Sequence, residues 1–293
     1  MLSDGLKRVQ REVDSVFDAF LPMPTDTRAR LVEAMRYAAI GGGKRVRPLL
    51  LVSTAEMFGV DRDAAMRAGC AVEAIHVYSL IHDDLPCMDD DELRHGKPTP
   101  HKVFDEATAV LAGDSLHALA FEILSDTGTS NDPFTRAELI ATLAAASGKN
   151  GMAGGQMMDM MSEGTDYDLH TITRLQQLKT GALLAASVEM GAILGKVAPE
   201  GRAQLRAYAR DIGLAFQIAD DLLDEEGDEA KVGKVLRKDE GQGKTTFVSL
   251  MGAEKAREQA HALVEQAVAH LANHGQEADM LRALARFIVE RDR

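Results

Sequence analysis

Residues 217–224 read Gln-Ile-Ala-Asp-Asp-Leu-Leu-Asp. Steps of three and four residues put Gln217, Asp220, Asp221 and Asp224 on one face of a helix and leave Ile218, Leu222 and Leu223 largely elsewhere. The same period recurs along the whole chain, and alternating strand-like runs are hard to find. Helices are predicted over roughly 3–20, 27–40, 45–58, 62–83, 104–125, 134–162, 171–195, 201–226, 245–251, 253–273 and 277–291. Asp61 is placed to cap the fourth and Asp132-Pro133 to open the sixth, while Gly59, Gly128 and Gly195 sit where helices should stop. No linker, low-complexity tract or fixed-period repeat divides the 293 residues. The expectation is an all-α fold, a single large helical bundle over 1–293, with core helices antiparallel because their connections are short.

Composition agrees. With 45% hydrophobic and 27% charged residues, eight prolines and no Trp, the chain is ordinary globular protein that favours helix over sheet. Its net charge of −13 argues against a nonspecific nucleic-acid binder, which needs a basic face. That charge is local. Asp83–Glu92 holds six acids and no base, Asp220–Glu229 holds seven and no base, and outside them 33 acids meet 33 bases. Cys70 and Cys87 make no disulfide framework and no C-x-x-C occurs, so a cytoplasmic protein is expected. The amphipathic start of the chain does not read as a signal peptide. The longest weakly polar stretch, Thr180 to Leu194, is interrupted by Glu189 and falls short of a membrane span.

Both acid runs lie at or near the C-terminal end of an apolar helix. Like charges one turn apart repel, and the helix dipole disfavours anions there, so each cluster costs stability unless a cation compensates. Carboxylates alone select hard ions, and sharing open positions with phosphate oxygens is the habit of Mg²⁺. A solvated acidic helix end is the plain alternative. In the first run, His76, Ser79 and Asp83 share a face, and Pro86 should break the helix so that Asp89 turns back toward Asp83. Two costly clusters are expected to face a common cavity and serve one metal site. A zinc site on His82 finds no second His or Cys at ligand spacing, so His82 reads as a supporting or capping residue.

Cations follow the acids. Gly41-Gly42-Gly43-Lys44-Arg45-Val46-Arg47-Pro48 joins flexible glycines to three bases before a helix, the makings of a phosphate nest. Arg94, Lys97 and Lys102 follow the first cluster; Lys234, Arg237, Lys238 and Lys244 follow the second. Divalent metal and Lys/Arg together mark a polyphosphate site. Gly241-Gln-Gly-Lys-Thr245 is no P-loop, since Lys238 stands where its first glycine belongs. Lys179-Thr180-Gly181 and Gly154-Gly155-Gln156 interrupt apolar helices with groups that suit close helix approach or a kink beside a cavity.

Taken together, GGGKRVRP, HVYSLIHDDLPCMDDDELRHGKPT, LAGDSL, MAGGQMMD, LKTGALL, FQIADDLLD and VGK…GKTT run in order over residues 41–246 and resemble the trans-prenyltransferases of the polyprenyl synthetase family. The resemblance implies a helical bundle around a deep central pocket, usually a homodimer, with three Mg²⁺ (Mn²⁺ able to replace it) bridging an allylic diphosphate and the two aspartate-rich motifs. Carried over by position, Asp83 and Asp89, with Asp84 beside them, and Asp220, with Asp221 and Asp224, are the metal set. Lys44, Arg47 and His76 match the isopentenyl diphosphate site. Arg94, Lys179, Thr180, Gln217, Lys234 and Lys244 match positions around the allylic diphosphate and its reacting carbon, where the Thr180 and Gln217 oxygens and the Lys179 carbonyl suit stabilising a carbocation. The family usually has a second Arg where this chain has His95, so that contact to isopentenyl diphosphate is altered here.

Tyr78 and Ser79, one turn below Asp83, resemble the farnesyl (C15) pattern of chain-length control, with geranylgeranyl (C20) as the neighbouring alternative. A class I terpene cyclase carries one such Asp-rich motif and a non-catalytic partner subunit tends to lose one. This sequence keeps both.

Overall fold

The computed structural model describes residues 1–162, 164–226 and 245–290, in which helices predominate and the strands are two pairs of residues, as the sequence predicts. Two compact units follow one another, Met1–Ile140 and Ala141–Arg293. The first contains α1 (Leu2–Phe20), α2 (Ala29–Ala39), α3 (Val46–Met57), α4 (Arg62–Asp83), strands β1 (Leu93–Arg94) and β2 (Lys97–Pro98), a single turn α5 (Pro100–Val103) and α6 (Glu106–Ser125). Its centre is α4. Asp61 accepts from the backbone N–H groups of Asp63 and Ala64, satisfying two free donors of the first turn. From there α4 runs 22 residues, with Ala65, Ala68, Ala71 and Ala74 all fully buried. Small residues let α3 and α6 pack closely on it; a Cβ on Gly69 would already meet Pro48 at 3.4 Å.

By length and composition α6 could cross a membrane, a run the sequence reading did not single out. In the unit, Ala112, Leu116, Ala120, Ile123 and Leu124 of α6 are fully buried, which gives its apolar character a use as a core helix.

After α7 (Pro133–Ser147), the second unit contains α8 (Met152–Met160), α9 (Leu169–Gln176), a π-helical turn (Gln177–Gly181), α10 (Ala182–Leu194), α11 (Ala203–Glu226), α12 (Phe247–Met251), α13 (Ala253–His270) and α14 (Asp279–Glu290). Here α11 is the long central helix, flanked by α10, α13 and α14. Tyr208 on it is fully buried and donates to the Leu281 carbonyl at 2.8 Å. Two predicted helices are subdivided. The run 134–162 breaks at Gly148–Gly151, where a Cβ on Gly151 would strike the Ala146 carbonyl. The run 171–195 passes through the π turn.

Leu116, at zero exposure on α6, tests this packing. Leu116→Ala should lower unfolding free energy by about 2–5 kcal/mol, read as a lower urea midpoint at unchanged slope; a loss under about 1 kcal/mol would contradict a close-packed α4–α6 layer.

Candidate active site

Where α4 ends, Pro86 prevents its continuation and the chain folds back on itself. The Asp89 N–H donates to the Asp83 carbonyl at 2.9 Å, while those of Met88 and Asp90 donate to the Leu85 carbonyl at 2.9 and 3.2 Å. Asp83 and Asp89 therefore flank one turn, as expected from the proline. Asp84 turns the other way. It is 1% exposed and accepts from Arg94 through Nε at 2.9 Å and through Nη2, while the same Nη2 reaches Asp91 at 3.3 Å. Burial pushes the Asp84 carboxyl above its ordinary range, against the hydrogen bond and charge of Arg94. Asp84 thus orients a cation beside the acid turn.

Arg94 reaches that position on a hairpin the sequence reading missed. Leu93 pairs with Pro98 and Arg94 with Lys97 across His95 and Gly96, which have φ of 52° and 75°. Two consecutive positive φ values make a type I′ turn, which suits Gly and tolerates His better than most residues. The Tyr37 hydroxyl holds the Pro98 carbonyl at 2.7 Å and Thr99 holds that of Asp91 at 2.9 Å.

Arg47 and His95 lie within electrostatic reach of His76. His76 is pushed well below the ordinary histidine range, first by burial and then by the charges of Arg47, His95, Arg45 and Arg94. His95 moves the same way, through burial and then Arg94. Both imidazoles are therefore neutral at pH 7, in a field set by Arg47 and Arg94. Lys44 is exposed and Arg47 half-buried. Arg45, the middle cation of the glycine-rich loop, departs from the expected nest. It turns inward, 3% exposed, to Glu73 and Asp14.

Below the acid turn, the Tyr78 ring meets His82 edge-on at 5.8 Å and His117 at 5.0 Å, and His117 continues to Phe121 at 5.3 Å. The Ser79 hydroxyl is spent on the His76 carbonyl at 2.8 Å. His117 and Phe121 escaped the sequence reading, although their four-residue step on α6 was visible. His82 contacts the Val110 carbonyl at 3.1 Å, and a Cβ on Gly113 would overlap its ring. This is the supporting role expected of it.

In the second unit the π turn carries Lys179 and Thr180. Its wide backbone is accommodated because α8 offers Gly155, where a Cβ would overlap the Lys179 backbone. A π turn within helical structure is a frequent mark of function. The Lys179 ammonium donates to Asp159 at 2.6 Å. On the other side, α11 approaches at Gly213, where a Cβ would lie 3.3 Å from the Gly181 Cα, one turn before Gln217. Gln217, Asp220 and Asp224 are half-buried, whereas Asp221 is 7% exposed and accepts from the Phe247 N–H at 2.8 Å, holding the start of α12. Lys234 and Lys244 lie outside the described residues.

Among the described residues no three His, Cys, Asp or Glu side chains are drawn together into a metal cage. The donors at each acid cluster are carboxylate oxygens. Mg²⁺ takes one or two carboxylates and leaves its other positions to water and phosphate, so the donor chemistry fits that ion. Asp83, Asp84 and Asp89 at the first cluster and Asp220, Asp221 and Asp224 at the second are the residues that would hold it; Asp84 also accepts from Arg94 and Asp221 from the Phe247 N–H.

Comparison with known proteins agrees with this chemistry. Residues 28–286 match the polyprenyl synthetase family. The chain is 43% identical to the farnesyl diphosphate synthase of Escherichia coli (strain K12) over 98% of each chain. It is 45% identical to the chloroplastic geranylgeranyl pyrophosphate synthase of Catharanthus roseus, over 90% of this chain and 74% of that one. An apo crystal structure of an FPP/GFPP synthase from Zymomonas mobilis superposes with a TM-score of 0.91 at 59% identity, covering 98% of each chain. The chain belongs to the polyprenyl synthetase family, and its reaction class is prenyl transfer.

The depressed His76 pKa has a consequence for stability. Unfolded, the imidazole takes a proton near 6.5; folded, it does so only well below that. Between those values the unfolded chain binds more protons, so folding stability falls as pH drops below 6.5. In urea titrations from pH 7 to 5 the wild type should lose stability more steeply than His76→Gln. Equal slopes would mean that His76 is not held neutral.

Proposed function

We propose that the protein joins isopentenyl diphosphate head to tail to an allylic diphosphate, dimethylallyl or geranyl, releasing pyrophosphate and ending at farnesyl diphosphate. The carrying observation is that α4 bears both halves of the required chemistry. His76, in the field of Arg47, lies seven residues before Asp83, about 10.5 Å along the axis, where the acid turn and Arg94 begin. One basic group and one carboxylate group at that separation suit two diphosphates whose hydrocarbon ends react. The family match from residue 28 to 286 supports reading the chain as one polyprenyl synthetase domain.

On this reading Lys44, Arg47 and His76 bind isopentenyl diphosphate, with His95 as a neutral hydrogen-bonding neighbour. Arg94, Lys179, Lys234 and Lys244 bind the allylic diphosphate. Asp83, Asp84 and Asp89 with Asp220, Asp221 and Asp224 would hold Mg²⁺, three ions in the family pattern, which when bound would supply Lewis-acid charge for departure of the diphosphate. The Arg and Lys side chains hold that group as its C–O bond to the allylic carbon breaks. The Thr180 and Gln217 oxygens and the Lys179 carbonyl are assigned to the resulting cation, in a dry site where fixed dipoles act strongly. The isopentenyl double bond then attacks, and a proton leaves to the diphosphate, the role the family pattern gives it, since among the described residues no side chain is placed as an obvious base. The reading also takes the enzyme to be a cytoplasmic homodimer, with no nucleic-acid partner.

With Mg²⁺, isopentenyl diphosphate and geranyl diphosphate the protein should form a C15 diphosphate. Asp83→Asn should lower kcat about 10²–10³-fold, the usual loss when one electrostatic stabiliser is removed. A released hydrocarbon would indicate a cyclase instead, and no turnover would overturn the proposal.

The Tyr78–His117–Phe121 stack is assigned as the floor that stops growth at C15. Tyr78→Ala should shift the product to C20 or longer by chromatography of the dephosphorylated alcohols. An unchanged C15 product would remove Tyr78 from length control, and a wild-type C20 product would favour the geranylgeranyl reading.

A further inference from the structure

Arg45 combines three properties that seldom meet in one residue. Its backbone is left-handed, with φ of 54°, between Lys44 and the first turn of α3. Its guanidinium is buried. It also joins four segments of the chain. Nη1 donates to Glu73 on α4 at 2.8 Å, while Nη2 donates to Asp14 on α1 at 3.0 Å and to the Ala39 carbonyl at the end of α2 at 2.5 Å. The Phe17 ring lies 6.0 Å beneath it. The glycine-rich loop is tied to the same acids, for the Gly41 N–H donates to Asp14 at 3.2 Å and Gly43 passes directly by Glu73.

A left-handed non-glycine residue stores strain that persists only where its surroundings over-determine it. Here they do, and the result has a direction. Gly41 at φ 78°, Gly43 at 72° and Arg45 at 54° alternate with two other residues, so Arg45 faces the core while Lys44 faces outward. Glu73 stands one turn before His76 on α4, which ties the loop to that imidazole. Burying a fully paired Arg–Glu couple is no efficient route to stability, since apolar packing often does as well. Holding a loop in one conformation is a better account of it.

The geometry points to Arg45, Glu73 and Asp14 as positioning residues for the first diphosphate site. They fix the Gly41–Lys44 loop and the start of α3 so that Lys44 and Arg47 converge with His76 on isopentenyl diphosphate. This rests on the site assignment proposed above and extends it to three side chains with no place in the substrate contacts.

The test compares wild type, Lys44→Ala, Glu73→Gln and Asp14→Asn. Steady-state kinetics vary each substrate in turn, and calorimetry follows isopentenyl diphosphate binding with no allylic partner present, so that no turnover occurs. Asp14 is about a quarter exposed, so Asp14→Asn carries the test where Glu73→Gln fails to fold. Each folded variant should raise KM and Kd for isopentenyl diphosphate about tenfold, since small misplacements of binding groups are costly. Its kcat and its KM for geranyl diphosphate should stay within about twofold of wild type, a split that general loosening of the fold would not give. If Lys44→Ala weakens isopentenyl diphosphate binding while Asp14→Asn and a folded Glu73→Gln do not, the positioning role is wrong and the site assignment stands. If Lys44→Ala has no effect either, the site assignment itself falls.

Discussion

Like charge packed at the ends of helices is the constraint around which this protein is built. Six carboxyl groups within ten residues begin at the last residue of α4, and Asp220, Asp221, Asp224, Glu225 and Glu226 fall in the last two turns of α11, each at the end where the helix dipole disfavours anions. The protein answers part of this itself. Arg94 takes up Asp84 and Asp91, Lys102 takes up Glu92, and the N–H of Phe247 takes up Asp221. These partners do more than neutralise. Asp84 aims a guanidinium and Asp221 anchors the chain at the start of α12, so each motif contains a carboxylate that also holds the fold. Outside the two motifs the chain is neutral, so the acid excess is local to them and not spread over the surface at large.

Glycine and proline shape the surroundings of that charge. Pro86 forces the turn that sets Asp89 over the end of α4. Gly96 with His95 makes the tight reversal that carries Arg94, and Gly155 gives the Lys179 backbone room for its π turn. In each case a backbone conformation places a charged or polar group that an unbroken helix would have pointed elsewhere.

Much of this was legible in the sequence. The helix over 62–83 with its Asp61 cap, the long α11 and the return of Asp89 follow from periodicity, capping chemistry and one proline. What was missed depends on contacts between segments remote in sequence. Lys179-Thr180-Gly181 and Gly154-Gly155 signal a kink or a close helix approach, but that the kink is a π turn facing Gly155 depends on α8 packing against it. Arg45 reads as one more cation in a basic loop, and its burial becomes visible only when Glu73, 28 residues on, comes to face it. The Tyr78–His117 contact likewise joins two helices whose separate patterns look like ordinary core. The His95-Gly96 turn was the nearest miss, because a His-Gly pair between Arg94 and Lys97 could have been recognised as a hairpin.

The central claim, that the acid excess is completed by a divalent cation before a diphosphate can bind, is tested most directly by equilibrium binding of inorganic pyrophosphate at a series of Mg²⁺ concentrations. Beyond whatever the basic site of Lys44, Arg47 and His76 holds without metal, the account predicts pyrophosphate affinity that climbs with Mg²⁺, a dependence weakened when Asp83 or Asp220 is changed to Asn. Pyrophosphate binding of equal strength with and without Mg²⁺ would contradict it.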